Sequence, residues 1–274
     1  SFAKVYRATY GHRFEVAVKV ILDSESSTTF NEKEINFLRR VRHRNVVRFF
    51  GSGQRVNTDN NLFIVFEYMD AGSLDSFLEK NIDISWNIRK SLVRDIVEGM
   101  VYLHTMSIHR DLKSGNVMLT CLDGVYRAKI ADFGMSKRVT PSTSSSTNTN
   151  SVEKIDMTTS LLTSQTSSQT DDLVASLLTT QDVGTPEYMA PELIQCRENE
   201  CNATGYTNKI DVYAFGIMLW EIRERQVPWR NECRGFTYKV FREVLRGNRP
   251  KIRLKVAPGE PSNFIDLMTQ CWNQ

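Results

Sequence analysis

The sequence predicts an α+β fold in two unequal lobes, and three observations carry that prediction. Strand-type patterning fills roughly residues 1–68, helical periodicity takes over after Gly72, and 274 residues at 41% hydrophobic composition can bury a core large enough for one bilobal domain. The reading divides the chain into a small β-rich N-lobe with one helix (1–68) and a larger α-helical C-lobe (69–274).

The elements follow in order. Residues Phe2 to Tyr10 alternate apolar and polar, and the valine-rich run Phe14 to Val20 supplies a second strand, so the two are expected to pair as a hairpin. Hydroxyls at Ser26 to Thr29 precede Ile35, Leu38 and Val41 at helical spacing, which predicts a helix from about Thr29 to Arg42. Further strands are expected at Val47–Gly53 and Leu62–Tyr68. Ile88, Leu92, Ile96, Met100 and Leu103 then lie on one face of a long amphipathic helix. The stretch from Thr140 to Gln181 is about half serine and threonine without an aromatic residue, the composition of a loop insertion rather than a packed element.

Composition narrows the possible roles. A net charge of +3 arises from nearly balanced acids and bases with no long cationic run, which argues against nucleic acid as a partner. Five cysteines without a CxxC pair read as reduced thiols of a cytoplasmic protein. The most apolar stretch, Tyr213 to Trp220, is far too short to span a bilayer, although the domain could belong to a membrane receptor whose cytosolic side it forms.

Five motifs stand out. In His109-Arg110-Asp111-Leu112-Lys113-Ser114-Gly115-Asn116, the Asp111 carboxylate can receive a substrate hydroxyl's proton while the Asn116 amide holds a metal, a spacing suited to phosphoryl transfer. Sixteen residues beyond Asn116 stands Asp132-Phe133-Gly134, where a carboxylate at a strand end can bind magnesium. Upstream, Val16-Ala17-Val18-Lys19 puts a lysine on the second strand. An ion pair from Lys19 to Glu34 on the following helix would aim the ammonium at nucleotide phosphates. Downstream come Gly184-Thr185-Pro186-Glu187-Tyr188-Met189-Ala190-Pro191-Glu192 and Asp211-Val212-Tyr213-Ala214-Phe215-Gly216.

With these motifs in this order, the chain resembles a eukaryotic protein kinase domain over nearly all its length. The resemblance implies the bilobal protein kinase fold, ATP and magnesium as cofactors, and protein substrates. Lys113 and the Gly184–Glu192 run resemble the serine/threonine branch. The Asp211 motif, Leu219-Trp220-Glu221 and Cys271-Trp272 resemble tyrosine kinases and their relatives, so the combination fits the tyrosine-kinase-like group. Dual-specificity or tyrosine kinases and a pseudokinase scaffold are the alternatives. Asp111, Lys113, Lys19 and Glu34 are the implied catalytic residues, with Lys113 steadying the γ-phosphate. Adenine is expected against Val5, Ala17 and Met118, bonded to backbone groups of Glu67 and Met69. Lys19, Asn116 and Asp132 complete the nucleotide site, and Asn116 and Asp132 hold the metal. Phe66 takes the gatekeeper position and is expected to close the space behind the adenine. Leu38, Phe49, His109 and Phe133 match the stacked residues that join the lobes. Thr185 is expected to bond the catalytic aspartate and lysine, which removes it as a switch.

The insertion has two readings, a tolerated low-complexity loop or a regulatory segment. Under the second, phosphate placed on Thr179 or Thr180 by an upstream kinase or by the chain itself would pair with Arg110. Both ends look truncated against the family pattern. The chain begins at Ser1 inside the glycine-rich phosphate loop, with Ala3 where its third glycine belongs. An arginine expected to pair with Glu192 does not follow Trp272, which predicts an unpaired buried carboxylate and a less stable fragment.

Overall fold

In the computed structural model the described residues are 3–11, 13–21, 35–54, 62–80, 83–132, 137–138, 185–196, 207–253 and 255–273. They form the two expected lobes. Phe2, Glu34, Phe133, Gly134, Gly184 and the 140–181 insertion with Thr179 and Thr180 lie outside them.

The small lobe is a four-stranded antiparallel sheet in the order β1-β2-β4-β3, with β1 at Ala3–Tyr10, β2 at Phe14–Ile21, β3 at Phe49–Gln54 and β4 at Leu62–Glu67. Alternation in the first two runs produces the expected hairpin, closed at Tyr10↔Phe14. Residues 35–40 are helical and bring Ile35, Phe37 and Leu38 into the core, while Arg42 lies beyond the helix.

The third strand starts two residues later than the pattern suggested, for a tertiary reason. Val46 bridges Ile130 in parallel, and the Val47 amide donates to the Ile130 carbonyl at 2.9 Å, so these valines serve the C-lobe sheet instead of β3. The fourth strand ends at Glu67, one residue short of Tyr68.

In the large lobe, β5 (Gly72–Ser73), β7 (Val117–Leu122) and β8 (Val125–Ile130) make a three-stranded sheet, and β6 (Ser107–Ile108) pairs with β9 (Lys137–Arg138). The long amphipathic helix is Trp86–His104, begun by the Ser85 hydroxyl accepting from the Ile88 amide, with Leu92, Ile96, Met100 and Leu103 buried. Gly99 allows its contact with β8: a Cβ there would sit 2.6 Å from the Asn45 carbonyl oxygen and 2.9 Å from Ile130 Cδ1.

The Lys209–Glu224 helix is buried on nearly every side. Its final carbonyls, of Ile222 and Arg223, accept from the buried Arg89 guanidinium at 2.9 and 3.0 Å, and Arg225 ends it in a left-handed conformation. It packs on the Phe264–Trp272 helix, and Gly216 permits that approach, since a Cβ would lie 2.9 Å from Cys271 Cβ. No helix among the described residues is long and apolar enough to cross a membrane.

One expectation is overturned here. Glu192 is part-exposed rather than buried and has an interaction partner, so it is not an unpaired buried carboxylate. Its charge also contributes, with burial as the larger cause, to pushing the nearby Tyr213 phenol up to about 12.

Candidate active site

The site is assembled on a carboxylate more than a hundred residues from the residues it holds. Asp211, 1% exposed in the first turn of the Lys209–Glu224 helix, accepts from the backbone amides of His109 and Arg110, each at 2.8 Å, and from His104 Nε2 at 2.9 Å. These bonds hold Arg110 at φ 71°, a left-handed conformation that costs a non-glycine residue free energy unless its surroundings compel it. His104 thereby sits at a helix end, and His109, 2% exposed, sends Nε2 to the Ala131 carbonyl at 3.1 Å, joining the two functional loops.

The loop so fixed presents Asp111. Asn116 Nδ2 donates to the Asp111 carbonyl at 2.7 Å and to its Oδ2 at 3.0 Å, Lys113 Nζ lies 3.0 Å from Oδ2, and the Thr185 hydroxyl donates to Oδ1 at 3.1 Å. Lys113 Nζ also reaches the Thr185 oxygen at 2.5 Å. Thr185 is therefore held by both groups, as the sequence suggested.

Above this loop a cleft of about 310 Å³ opens between the lobes. Val5, Ala17, Lys19, Glu67, Met69, Asn116, Met118 and Asp132 all line it, so the expected nucleotide-binding residues meet in one place. Its walls are mostly apolar with a few polar groups, the usual constitution of a small-molecule site. Leu38, Val47 and Phe66 line it too, and Phe66 packs edge-on against Phe49 with centroids 6.1 Å apart. Of the expected stack, Leu38, Phe49 and His109 are all buried.

Lys19 Nζ donates to Asp132 Oδ1 at 2.8 Å across the cleft. The ion pair expected with Glu34 cannot be followed, since Glu34 lies outside the described residues. Asp132 adopts φ 58°, a second strained residue at the site.

Two arrangements went unforeseen. Glu67, at the end of β4, accepts from Lys129 Nζ at 2.6 Å and from the Arg48 amide at 2.6 Å. Below the catalytic loop, Ser114 Oγ lies 3.0 Å from the Tyr188 hydroxyl, which donates to Glu221, and burial pushes the Glu221 carboxyl up to about 7. No spacing rule reveals either, because the partners lie 62, 74 and 33 residues apart.

A sequence profile described as "Protein kinase domain" matches residues 1–274. The chain is 32% identical over 282 residues to the probable serine/threonine-protein kinase drkC of Dictyostelium discoideum, covering all of this chain and 31% of that protein. It is 34% identical over 240 residues to serine/threonine-protein kinase CTR1 of Arabidopsis thaliana, covering 84% of this chain and 24% of that protein. The chain thus spans about a third or less of the length of these relatives.

Proposed function

This chain belongs to the protein kinase domain family, of the serine/threonine kind, and from that premise we propose that it transfers the γ-phosphoryl group of ATP to serine and threonine hydroxyls of protein substrates. The observation that carries the proposal is the Asp111 carboxylate, aimed and held by Asn116, Lys113 and Thr185 beside a cleft of nucleotide size.

Each residue receives a role in this reading. Asp111 orients the acceptor hydroxyl and takes its proton as the oxygen attacks. Lys113 offers positive charge where the transferred group develops negative charge. Lys19 holds the other phosphates, and Val5, Ala17 and Met118 enclose the base, whose edge meets the backbone at Glu67 and Met69.

The donor set also fits magnesium. Asn116 spends its amide nitrogen on Asp111 and keeps a carbonyl oxygen, while Asp132 supplies a carboxylate, and magnesium is bound through one or two such oxygens together with substrate phosphates. When bound, the ion would neutralise charge on the phosphates. The family as a whole uses ATP and magnesium, and the assignment to these residues is part of the proposal.

A scaffold lacking transfer would have no need to hold Asp111 and Asn116 in this mutual geometry. We further assign a cytoplasmic setting, and regulation at Thr179 or Thr180 by an upstream kinase or by the chain itself. The direct test follows radiolabelled phosphate from ATP into a serine/threonine peptide library. Asp111→Asn is expected to lower kcat by about 10²–10⁴-fold while nucleotide binding persists. Equal incorporation by Asp111→Asn, Asp132→Asn and the unaltered chain would refute the proposal.

A further inference from the structure

A separate cavity of about 450 Å³ lies beside the Pro186–Tyr188 turn and shares no lining residue with the cleft between the lobes. Glu187, Trp229, Arg230, Arg234 and Val240 are among its lining residues. Trp229 is 2% exposed, yet its indole Nε1–H has no hydrogen-bond acceptor among the described residues. That nitrogen is sealed from solvent, so the indole forms a wall of the cavity and the exposed polar groups are those of the arginines.

Arg230 and Arg234 are exposed, and neither forms an ion pair with a described residue. Glu232, on the same short helix as Arg230, is turned to the Lys251 amide at 3.2 Å. Glu187 is the one acid lining the cavity. A neighbouring cavity shares Val227 and Arg230 and carries Asp75, Glu79 and Glu221, of which Glu221 is engaged by Tyr188. Asp75 accepts from Ser73 and from the Ser76 amide.

We propose that the Trp229–Arg234 cavity is a second substrate-binding site, which receives aspartate or glutamate side chains of an acidic segment in the protein substrate. Arg230 and Arg234 supply charge-assisted hydrogen bonds to those carboxylates. Glu187 repels carboxylates on the platform side, so the segment turns its acids toward the arginine rim. Because Thr185, two residues before Glu187, is bonded to Asp111, the acidic residues fall within a short stretch of chain from the accepting hydroxyl.

This inference rests on the transferase reading, and two measurements separate them. A fluorescent glutamate-rich peptide without serine, threonine or tyrosine is titrated into the chain and followed by anisotropy. Saturable binding is expected, weakened about tenfold in an Arg230→Gln/Arg234→Asn double variant whose melting midpoint is unchanged. Asparagine is chosen at 234 because Arg234 has φ 51°.

In parallel, acceptor peptides carrying glutamate at successive positions are phosphorylated. A lower KM at a subset of positions, lost in the double variant with kcat unchanged, is the expected result. Binding unchanged in the double variant, or one KM for acidic and neutral peptides, would overturn the site. Preference for a phosphoserine peptide with no binding of the glutamate peptide would overturn the carboxylate assignment. Binding without phosphorylation of any peptide would leave the site standing and sink the transferase reading.

Discussion

The two lobes are built to different standards of packing. In the large lobe Ile217, Met218, Leu219 and Ile222 are fully buried on a single helix. In the small lobe Val5, Tyr6, Tyr10 and Phe14 on the β1–β2 hairpin are each more than half exposed. Asp111 and Asn116 are fixed from the first region, whereas Lys19 and the covering apolar residues stand on the second. Under the proposed function, proton acceptance demands a carboxylate held in one place, and rigidity is concentrated there. A nucleotide in the proposed site would have to enter and leave, and the strands over it are the part with little apolar burial and low local stability.

That contrast can be broken by mutation. Asp211→Ala removes the acceptor for two buried backbone amides, and a loss on the order of 4 kcal/mol is expected from urea unfolding, together with loss of transfer. A change below about 1 kcal/mol would show that the catalytic loop is held by something other than this carboxylate.

Glu221 provides a pH test. Its folded pKa is raised from 4.5 to about 7, so the folded state holds a proton that the unfolded chain releases near 4.5. The stability linked to this proton is fully present below about pH 4.5 and is lost as pH rises through about 7. Glu221→Gln removes that loss. Relative to the native chain the variant should gain stability across this range, on the order of 3 kcal/mol by pH 8, as read from melting curves at several pH values.

Overpacking probes the seam between the sheet and the long helix. Gly99→Ala drives a methyl into the Asn45 carbonyl and Ile130, and should cost about 1–3 kcal/mol in chemical denaturation. The smallest stability change should come from Lys19→Met in the thin lobe. Its half-exposed pair with Asp132 is worth at most about 1 kcal/mol, while nucleotide affinity measured by calorimetry should fall sharply. A large loss of stability there would erase the distinction between the lobes.

Much of this molecule was legible in the amino-acid order. The β1–β2 hairpin and the long helix with Leu92, Ile96 and Leu103 inward follow from local periodicity, and the grouping of Lys19, Asn116 and Asp132 around one cleft was implied by the resemblance that the ordered motifs carry. Those signals are local or carried by short motifs, so distance in the chain does not blur them. The boundary of β3 was misread because Val46 and Val47 look like strand residues, and their partner, Ile130, belongs to the other lobe.

What only the tertiary structure decided is the set of partners. Chain order shows Asp211 only as the first residue of a motif, and folding brings it to the amides of His109 and Arg110. The same holds for Glu221 beneath Tyr188 and Ser114, and for Lys19 against Asp132. A residue's type and spacing determine what chemistry it can offer. Which group receives that chemistry depends on burial and on directions set by the whole packed chain, and those are properties no local stretch contains.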